Sequence, residues 1–446
     1  MPGSIFSEPP LSASMVEDLE ADYSGVFRNV EEALGRLQNV SPVDRYERLQ
    51  KIGQGTFGEV FKARHRVTKQ HFALKRIRME QEKEGVCLFL ICLSRVAKFP
   101  ITAIREIRIL QSLQHENIVC LKDVCYNTRD ERSCFRPQFF LVFEFCDHDL
   151  AGLSQRADFP NSVKKAIMLQ LLKGLFYLHK NNVLHRDLKA ANILINKHGV
   201  LKIADFGLAR RTVASIRPDR PPRYTGRVVT LWYRPPEILL NDRNYGKPVD
   251  MWGAGCIMAE LWTKYPIMQG ENELGQLKLI INLCGSINSE VWPGVERLEA
   301  FRDAQLPRDI KRHVRERLKD KVSSSTAIDL IDKLLVIDPS KRFTADQALS
   351  HDYFYEDPPP GDLRVFSREG TSYLEFFSNP RHARIAQQQQ HQQLPQAHHN
   401  YHGGHHMGPH QRPGPYQYHP VAGRVPVGQV RRPLIQEDNI HHDRVY

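Results

Sequence analysis

His185-Arg186-Asp187-Leu188-Lys189-Ala190-Ala191-Asn192, followed thirteen residues on by Asp205-Phe206-Gly207, is the stretch from which the rest of the chain is read. It carries two acids, an amide and a lysine at fixed intervals. Moving a phosphoryl group asks little covalent chemistry of a protein. It asks for an acceptor held in line, metal ions bridging phosphates, and a carboxylate beside the acceptor hydroxyl. Asp187 supplies that carboxylate. Asn192 and Asp205 offer the hard oxygen donors that Mg2+ takes. Lys189 can neutralise charge on the transferred group.

Upstream lies Ile52-Gly53-Gln54-Gly55-Thr56-Phe57-Gly58-Glu59-Val60. Glycines without a Cβ let backbone N–H groups approach phosphate oxygens. Alone this pattern is weak, because dinucleotide-binding units share it, but there a helix follows the last glycine. Here Val60-Phe61-Lys62-Ala63 reads as a strand, which places the glycines in a β-hairpin. Lys75 comes seventeen residues after Gly58, inside Phe72-Ala73-Leu74-Lys75. Such a lysine either snorkels or is a buried cation with a task. The next helix is expected over Ile101 to Leu113, with Ile101, Ile104, Ile107 and Leu110 as its inner face and Glu106 beside it. Paired with Glu106, Lys75 is held against phosphates as a point charge. The glycine flap, the lysine, the glutamate and the two downstream motifs, in this order, match the protein-kinase signature set.

Outward from these motifs, residues 46–354 form one region. Strand-like runs (Tyr46–Ile52, Glu59–His65, His71–Ile77) fill its first third, and helical periodicity (Ser162–His179, Ala327–Ile337) fills the remainder. A small β-rich part before a larger helical part predicts an α+β fold of two lobes with a cleft between them. Residues 1–45 form an acidic extension of charge −5, with one candidate amphipathic helix from Met15 to Leu37 that Ser24-Gly25 interrupts. Residues 355–378 are expected to pack on or near the lobes. Residues 379–446 are rich in His, Gln and Pro and hold eleven of the twenty histidines, with no Lys, Ser or Thr. Such a segment buries too little apolar surface to offset chain entropy, so disorder is expected.

Hydrophobic residues are 41% and charged residues 25%, ordinary for a globular chain with a sizeable core. The longest apolar run, Val86 to Leu93, is too short to cross a bilayer, so no membrane partner is expected. Nothing at the acidic start resembles a secretory leader. Eight cysteines without a CxxC pair read as reduced thiols. The net charge is +11, of which the middle of the chain holds +12. Those cations are dispersed and lack aromatic stacking motifs, which argues against direct nucleic-acid binding.

At these residues the sequence resembles eukaryotic protein kinases, and the resemblance covers about 46–354. It implies the two-lobed protein kinase fold, a small β-rich N-lobe over a larger α-helical C-lobe, with ATP and Mg2+ in the cleft. Phe99-Pro100-Ile101-Thr102-Ala103-Ile104-Arg105-Glu106 resembles the cyclin-contacting helix of cyclin-dependent kinases. Val228-Val229-Thr230-Leu231-Trp232-Tyr233-Arg234-Pro235-Pro236-Glu237 is similar to their activation-segment end. Asp250-Met251-Trp252-Gly253-Ala254-Gly255-Cys256 and Asp338-Pro339-Ser340-Lys341-Arg342 fit the same large lobe. The resemblance implies that Glu237 pairs with Arg342. It implies that adenine meets the backbone of Glu144, Phe145 and Cys146, between Ile52, Val60 and Ala73 above and Leu194 below, with Phe143 behind. Thr225 is the implied activating phosphosite, with Arg105, Arg186 and Arg210 converging on it. Proline after the acceptor is implied too, because the residue matching Val229 turns its carbonyl away and an acceptor-site N–H would go unpaired.

Ile52–Arg66, Phe145-Cys146-Asp147-His148-Asp149-Leu150-Ala151-Gly152-Leu153, Leu188-Lys189-Ala190-Ala191-Asn192 and Trp252–Trp262 look most like the transcriptional members of that family that work with T-type cyclins. Members that work with cyclin K run Tyr-Met where this chain has Phe145-Cys146. The resemblance implies a nuclear serine/threonine kinase acting on Ser-Pro sites in the RNA polymerase II C-terminal repeats and in elongation factors, with a T-type cyclin on the Pro100–Glu106 helix. One feature departs from the family: Val86 to Lys98, thirteen apolar-rich residues, intervene before Phe99. They are either a surface loop near the cyclin contact or an unspliced intron, since thirteen codons keep the frame. A non-catalytic scaffold on this fold would lack at least one of Lys75, Asp187, Asn192 and Asp205, and all four are present.

Overall fold

The computed structural model describes residues 41–55, 58–78, 101–127, 138–156, 158–212, 230–369 and 372–378. The extension up to residue 40, Thr56, Phe57, the 86–98 insertion, Pro100, Thr225, Val229 and the tail 379–446 lie outside the described residues.

The first lobe is built on strands β1 (Ser41–Pro42), β2 (Tyr46–Gly55), β3 (Gly58–His65), β4 (His71–Ile77), β5 (Leu121–Asn127) and β6 (Gln138–Glu144), with helix α1 (Ile101–Gln111) after β4. The strands form one sheet in the order β1-β5-β6-β4-β3-β2, antiparallel except for β1 beside β5. β6 is Gln-Phe-Phe-Leu-Val-Phe-Glu and is buried from Gln138 to Phe143, as suits a central strand covered on both faces. The β2–β3 pairing runs to Gly55 opposite Gly58. Gly58 has φ +143°, and a Cβ there would meet the Arg76 carbonyl at 1.8 Å, so only glycine fits. Val43, Tyr46, Phe72, Leu74, Phe140 and Val142 make a small core on one face of the sheet. Ser41–Pro42 joins the sheet although it precedes residue 46, where the sequence places the start of the domain. Two residues are too short a run for hydrophobic alternation to reveal.

α1 ends at Gln111, two residues before the expected Leu113. Its buried positions are Ala103, Glu106, Ile107, Ile109 and Leu110, while Ile104 is only half-buried. The run 103, 106, 107, 110 is one helical stripe. Glu106 therefore sits within the inner face rather than beside it. Counting apolar side chains alone shifted the expected face by part of a turn.

The second lobe contains β7 (His148–Asp149), α2 (Leu150–Arg156), α3 (Asn161–Lys180), β8 (Val183–Leu184), β9 (Ile193–Ile195), β10 (Leu201–Ile203), β11 (Arg210–Arg211), α4 (Pro236–Leu239), α5 (Pro248–Thr263), α6 (Glu273–Cys284), α7 (Glu299–Asp303), α8 (Val314–Leu318), α9 (Ser325–Leu334) and α10 (Ala345–Leu349). α5 starts at Pro248, where a missing N–H costs nothing, and is buried on every side from Val249 to Leu261. It is the axis of the lobe. A Cβ on Gly253 would lie 2.9 Å from Leu188 Cβ, so the glycine lets the Asp187–Asn192 loop rest on α5. Among the described residues no helix is long and apolar enough to cross a membrane.

Candidate active site

One cavity between the lobes is lined by Ile52 and Val60 from β2 and β3, Ala73 and Lys75 from β4, and Glu106 from α1. Phe143, Glu144, Phe145 and Cys146 form its inner edge, and Asn192, Leu194 and Asp205 its floor. Segments more than a hundred residues apart thus meet where the motifs predict. Val119, Ala191, Ala204 and Leu374 also line it and were not anticipated. Ala191 and Ala204 adjoin Asn192 and Asp205, a position that could have flagged them, whereas Val119 and Leu374 stand next to no motif. Gly53, Gln54, Gly55, Gly58 and Glu59 do not line the cavity. They belong to the hairpin above it, where Lys51 Nζ donates to Gln54 Oε1 and Glu59 Oε1, both at 2.6 Å.

Lys75 is buried and its Nζ lies 2.9 Å from Glu106 Oε1 and 2.8 Å from Asp205 Oδ1. Burial disfavours the ammonium, but Asp205 and Glu106 outweigh it and hold the Lys75 pKa above its ordinary value. Burial also works against ionised Asp205. Lys75, aided by Lys189 and His185, overcomes it and brings Asp205 below the usual carboxylate range. For Glu106 burial wins, and its pKa is raised. The sequence pointed to the Lys75–Glu106 pair but not to Asp205 as a second partner.

Asp187 is held from both sides. Its Oδ1 accepts from the Thr230 N–H at 3.1 Å and the Thr230 hydroxyl at 2.9 Å. Its Oδ2 accepts from Asn192 Nδ2 at 3.1 Å and lies 3.3 Å from Lys189 Nζ. The backbone of this loop is tied to α5, since Asp250 accepts from the N–H groups of His185 and Arg186 at 3.0 and 2.8 Å and meets His179 Nε2 at 3.0 Å. Arg186 and Asp205 take φ values of +68° and +63°, sparsely populated for residues with side chains. Strain of this kind persists where the surroundings over-determine the backbone. Thr230 and Asp250 are thus supporting residues whose part the sequence did not disclose. Both stand inside quoted motifs, but only the fold brings Thr230 to Asp187 and Asp250 to the backbone just before it.

Two features fit a nucleotide with its metal. Asp205 Oδ2 is buried with no hydrogen-bond partner, a costly state that a hard cation would relieve. Asn192 spends its amide N–H on Asp187, which leaves its carbonyl oxygen as a second donor atom. Among the described residues no three His, Cys, Asp or Glu side chains form a metal cage. Mg2+ needs none when phosphates complete its shell. At the inner edge, β6 pairing stops at Glu144, and among the described residues the backbone of Cys146 makes no hydrogen bond, which suits a planar base with a donor and an acceptor. Burial pushes the Cys146 thiol up, so it stays protonated and inert.

Arg105 from α1, Arg186 from the loop and Arg210 from β11 gather nearby. Burial, then Arg105 and Arg186, press the Arg210 pKa down to about 10. Burial and Arg186 lower that of Arg105 as well. Arg186 is anchored by Nε to the Leu208 carbonyl at 2.8 Å and by Nη1 to the Tyr245 hydroxyl at 2.6 Å. Three mutually repelling guanidiniums from three elements form a place for an anion. Below them Arg342 Nη1 and Nη2 reach Glu237 Oε1 and Oε2 at 2.7 and 3.0 Å, a fully buried bidentate pair.

The segment after residue 371 closes the outer side of the cavity. Tyr373 stacks on His148, Asp149 Oδ2 accepts from the Glu375 N–H at 2.7 Å, and Leu374 between them lines the cavity.

Residues 46–354 match the protein kinase domain family. The chain is 54% identical over 342 residues to human Cyclin-dependent kinase 9, covering 76% of this chain and 88% of that one. It is 53% identical over 346 residues to Cyclin-dependent kinase 9-B of Xenopus laevis, with the same coverage. A chain in the crystal structure of the yeast RNA Pol II CTD kinase CTDK-1 complex superposes with a TM-score of 0.60 at 38% identity, over 74% of this chain and 98% of that one.

Proposed function

This chain belongs to the protein kinase family, among its cyclin-dependent serine/threonine kinases, and from that premise we propose that it phosphorylates Ser-Pro sites in the RNA polymerase II C-terminal repeats and in elongation factors, in the nucleus and with a T-type cyclin seated on the Pro100–Glu106 helix. The observation that carries the reading is the meeting of Lys75, Glu106 and Asp205 within 2.9 Å. It links β4, α1 and the floor of the cleft through one cation. Pressure of a partner on α1 therefore acts directly on the phosphate-binding lysine. The naming of the relatives as cyclin-dependent, and of the yeast neighbour as a CTD kinase, supports the choice of partner and substrate.

In this reading adenine lies between Ile52, Val60 and Ala73 above and Leu194 below, and bonds the backbone from Glu144 to Cys146. Phe143 closes the back, and the hairpin from Gly53 to Glu59 covers the phosphates. Lys75, oriented by Glu106, grips the α- and β-phosphates. Asn192 and Asp205 would hold Mg2+, which would offset negative charge on the phosphate oxygens. Asp187 accepts a hydrogen bond from the acceptor hydroxyl and takes its proton as the new O–P bond forms and the bond from the γ-phosphorus to the β–γ bridging oxygen breaks, so that ADP leaves with that electron pair. Lys189 sits beside Asp187 and offsets negative charge on the group in transfer. Thr225 is the activating phosphosite. Its phosphate would draw Arg105, Arg186 and Arg210 together and so fasten α1, the catalytic loop and the segment to one another.

Phosphate transfer from labelled ATP to a Ser-Pro repeat peptide, with a T-type cyclin present, tests the proposal. Asp187→Asn should lower kcat by about a thousandfold or more while nucleotide still binds. Absence of transfer by the wild-type complex, or unchanged kcat in the variant, rejects it.

A further inference from the structure

A second concave surface lies in the helical lobe, away from the catalytic cavity and sharing no lining residue with it. Its volume is about 450 Å3. Pro266, Ile267 and Met268, which follow α5, form one wall, Leu279 and Leu283 of α6 another, and Leu318 of α8 the end. Tyr265 and Leu279 at its lip are 60% and 37% exposed. Apolar side chains left open around a concavity mark interaction sites.

The rim is one-signed. Arg317 and Lys321 border the groove and no acidic residue does. Both are exposed, and neither makes a side-chain hydrogen bond or ion pair among the described residues. Lys278 and Lys319, next in sequence to the lining residues Leu279 and Leu318, are exposed as well and make no ion pair among the described residues, whereas Arg312 binds Asp332, Arg315 binds Asp329 and Asp332, and Lys264 binds Asp158. Two cations four residues apart on the rim of an apolar floor, with no acidic residue lining it, ask for carboxylates on an apolar ligand. Asn282, exposed at the edge, offers an amide to a peptide backbone. α6 also reaches the substrate side of the lobe, since Gln276 accepts from the Gly270 N–H at 2.8 Å and donates to the Trp232 carbonyl at 3.2 Å.

We infer that this groove docks a peptide segment of a protein partner in which apolar side chains alternate with Asp or Glu, the apolar groups entering between Ile267, Leu279 and Leu283 and the carboxylates meeting Arg317 and Lys321. Such a dock would hold a partner without occupying the catalytic cleft, and would raise its local concentration there.

Fluorescence anisotropy with the full chain tests this. The probe is a short labelled peptide alternating Glu with Leu and Phe, and its counterpart has Lys for every Glu. The acidic peptide should bind. Arg317→Glu with Lys321→Glu should weaken it at least about tenfold and favour the lysine peptide instead. Leu279→Glu should weaken both. Melting temperature and transfer to an unrelated short Ser-Pro peptide should stay unchanged in these variants. Equal binding of both peptides to wild type, no exchange of preference on charge reversal, or capture of phosphatidylserine vesicles with no peptide binding would each overturn the inference.

Discussion

Glu260 is buried on α5, where Tyr233 donates a hydrogen bond to its Oε2 at 2.7 Å. Burial pushes its pKa from 4.5 up to about 7, which the tyrosine only partly offsets. The folded chain therefore holds this proton more tightly than the unfolded chain. The stability gained from it is complete below about pH 4.5 and is lost as pH rises through about 7. Glu260→Gln removes the dependence. Urea unfolding of wild type and variant at about pH 5 and about pH 8 should show the difference between them shifting by up to about 3 kcal/mol, wild type losing ground at the higher pH. A constant difference would mean that Glu260 does not titrate in this range.

α5 and α1 show what a sequence discloses at the level of elements. The strands around the glycine flap and the helices of the large lobe were legible because alternation and helical spacing are local properties. The site was legible because each motif carries its own chemistry. Glu106 was recognised as the partner of Lys75, but its place within the buried stripe of α1 was not, since an acidic residue reads as exposed until its cation is seen. Thr230 and Asp250 escaped for a different reason: they act by holding Asp187 and its loop, and nothing local distinguishes them. Gly253 offers a test of that support. Gly253→Ala puts a Cβ 2.9 Å from Leu188 Cβ, against the loop that bears Asp187. It should cost about 1–3 kcal/mol in denaturant unfolding. It should also lower kcat more than it raises the KM for ATP. Wild-type kcat would show that the loop absorbs the methyl group without moving Asp187.

Across the whole molecule, residues 355–378 were expected to pack on or near the lobes, but not to line the cleft. Leu374 lies 180 residues beyond Leu194 in sequence and lines the same cavity. No motif announces it. Ending the chain at residue 371 should raise the KM for ATP several-fold, because an apolar wall is lost, while kcat stays within about twofold. Unchanged KM in steady-state assays would show that the wall does not touch nucleotide.

At the opposite end, Ser41 and Pro42 run beside Cys125 and Tyr126. A recombinant fragment begun at Tyr46, the boundary that motif reading suggests, would leave the β5 margin bare. Unpaired backbone on such a margin invites another copy to add a strand, all the more with Val43 removed from beneath it. Starting four or five residues earlier should be the difference between a monodisperse preparation and one that self-associates, as light scattering on the two fragments would reveal.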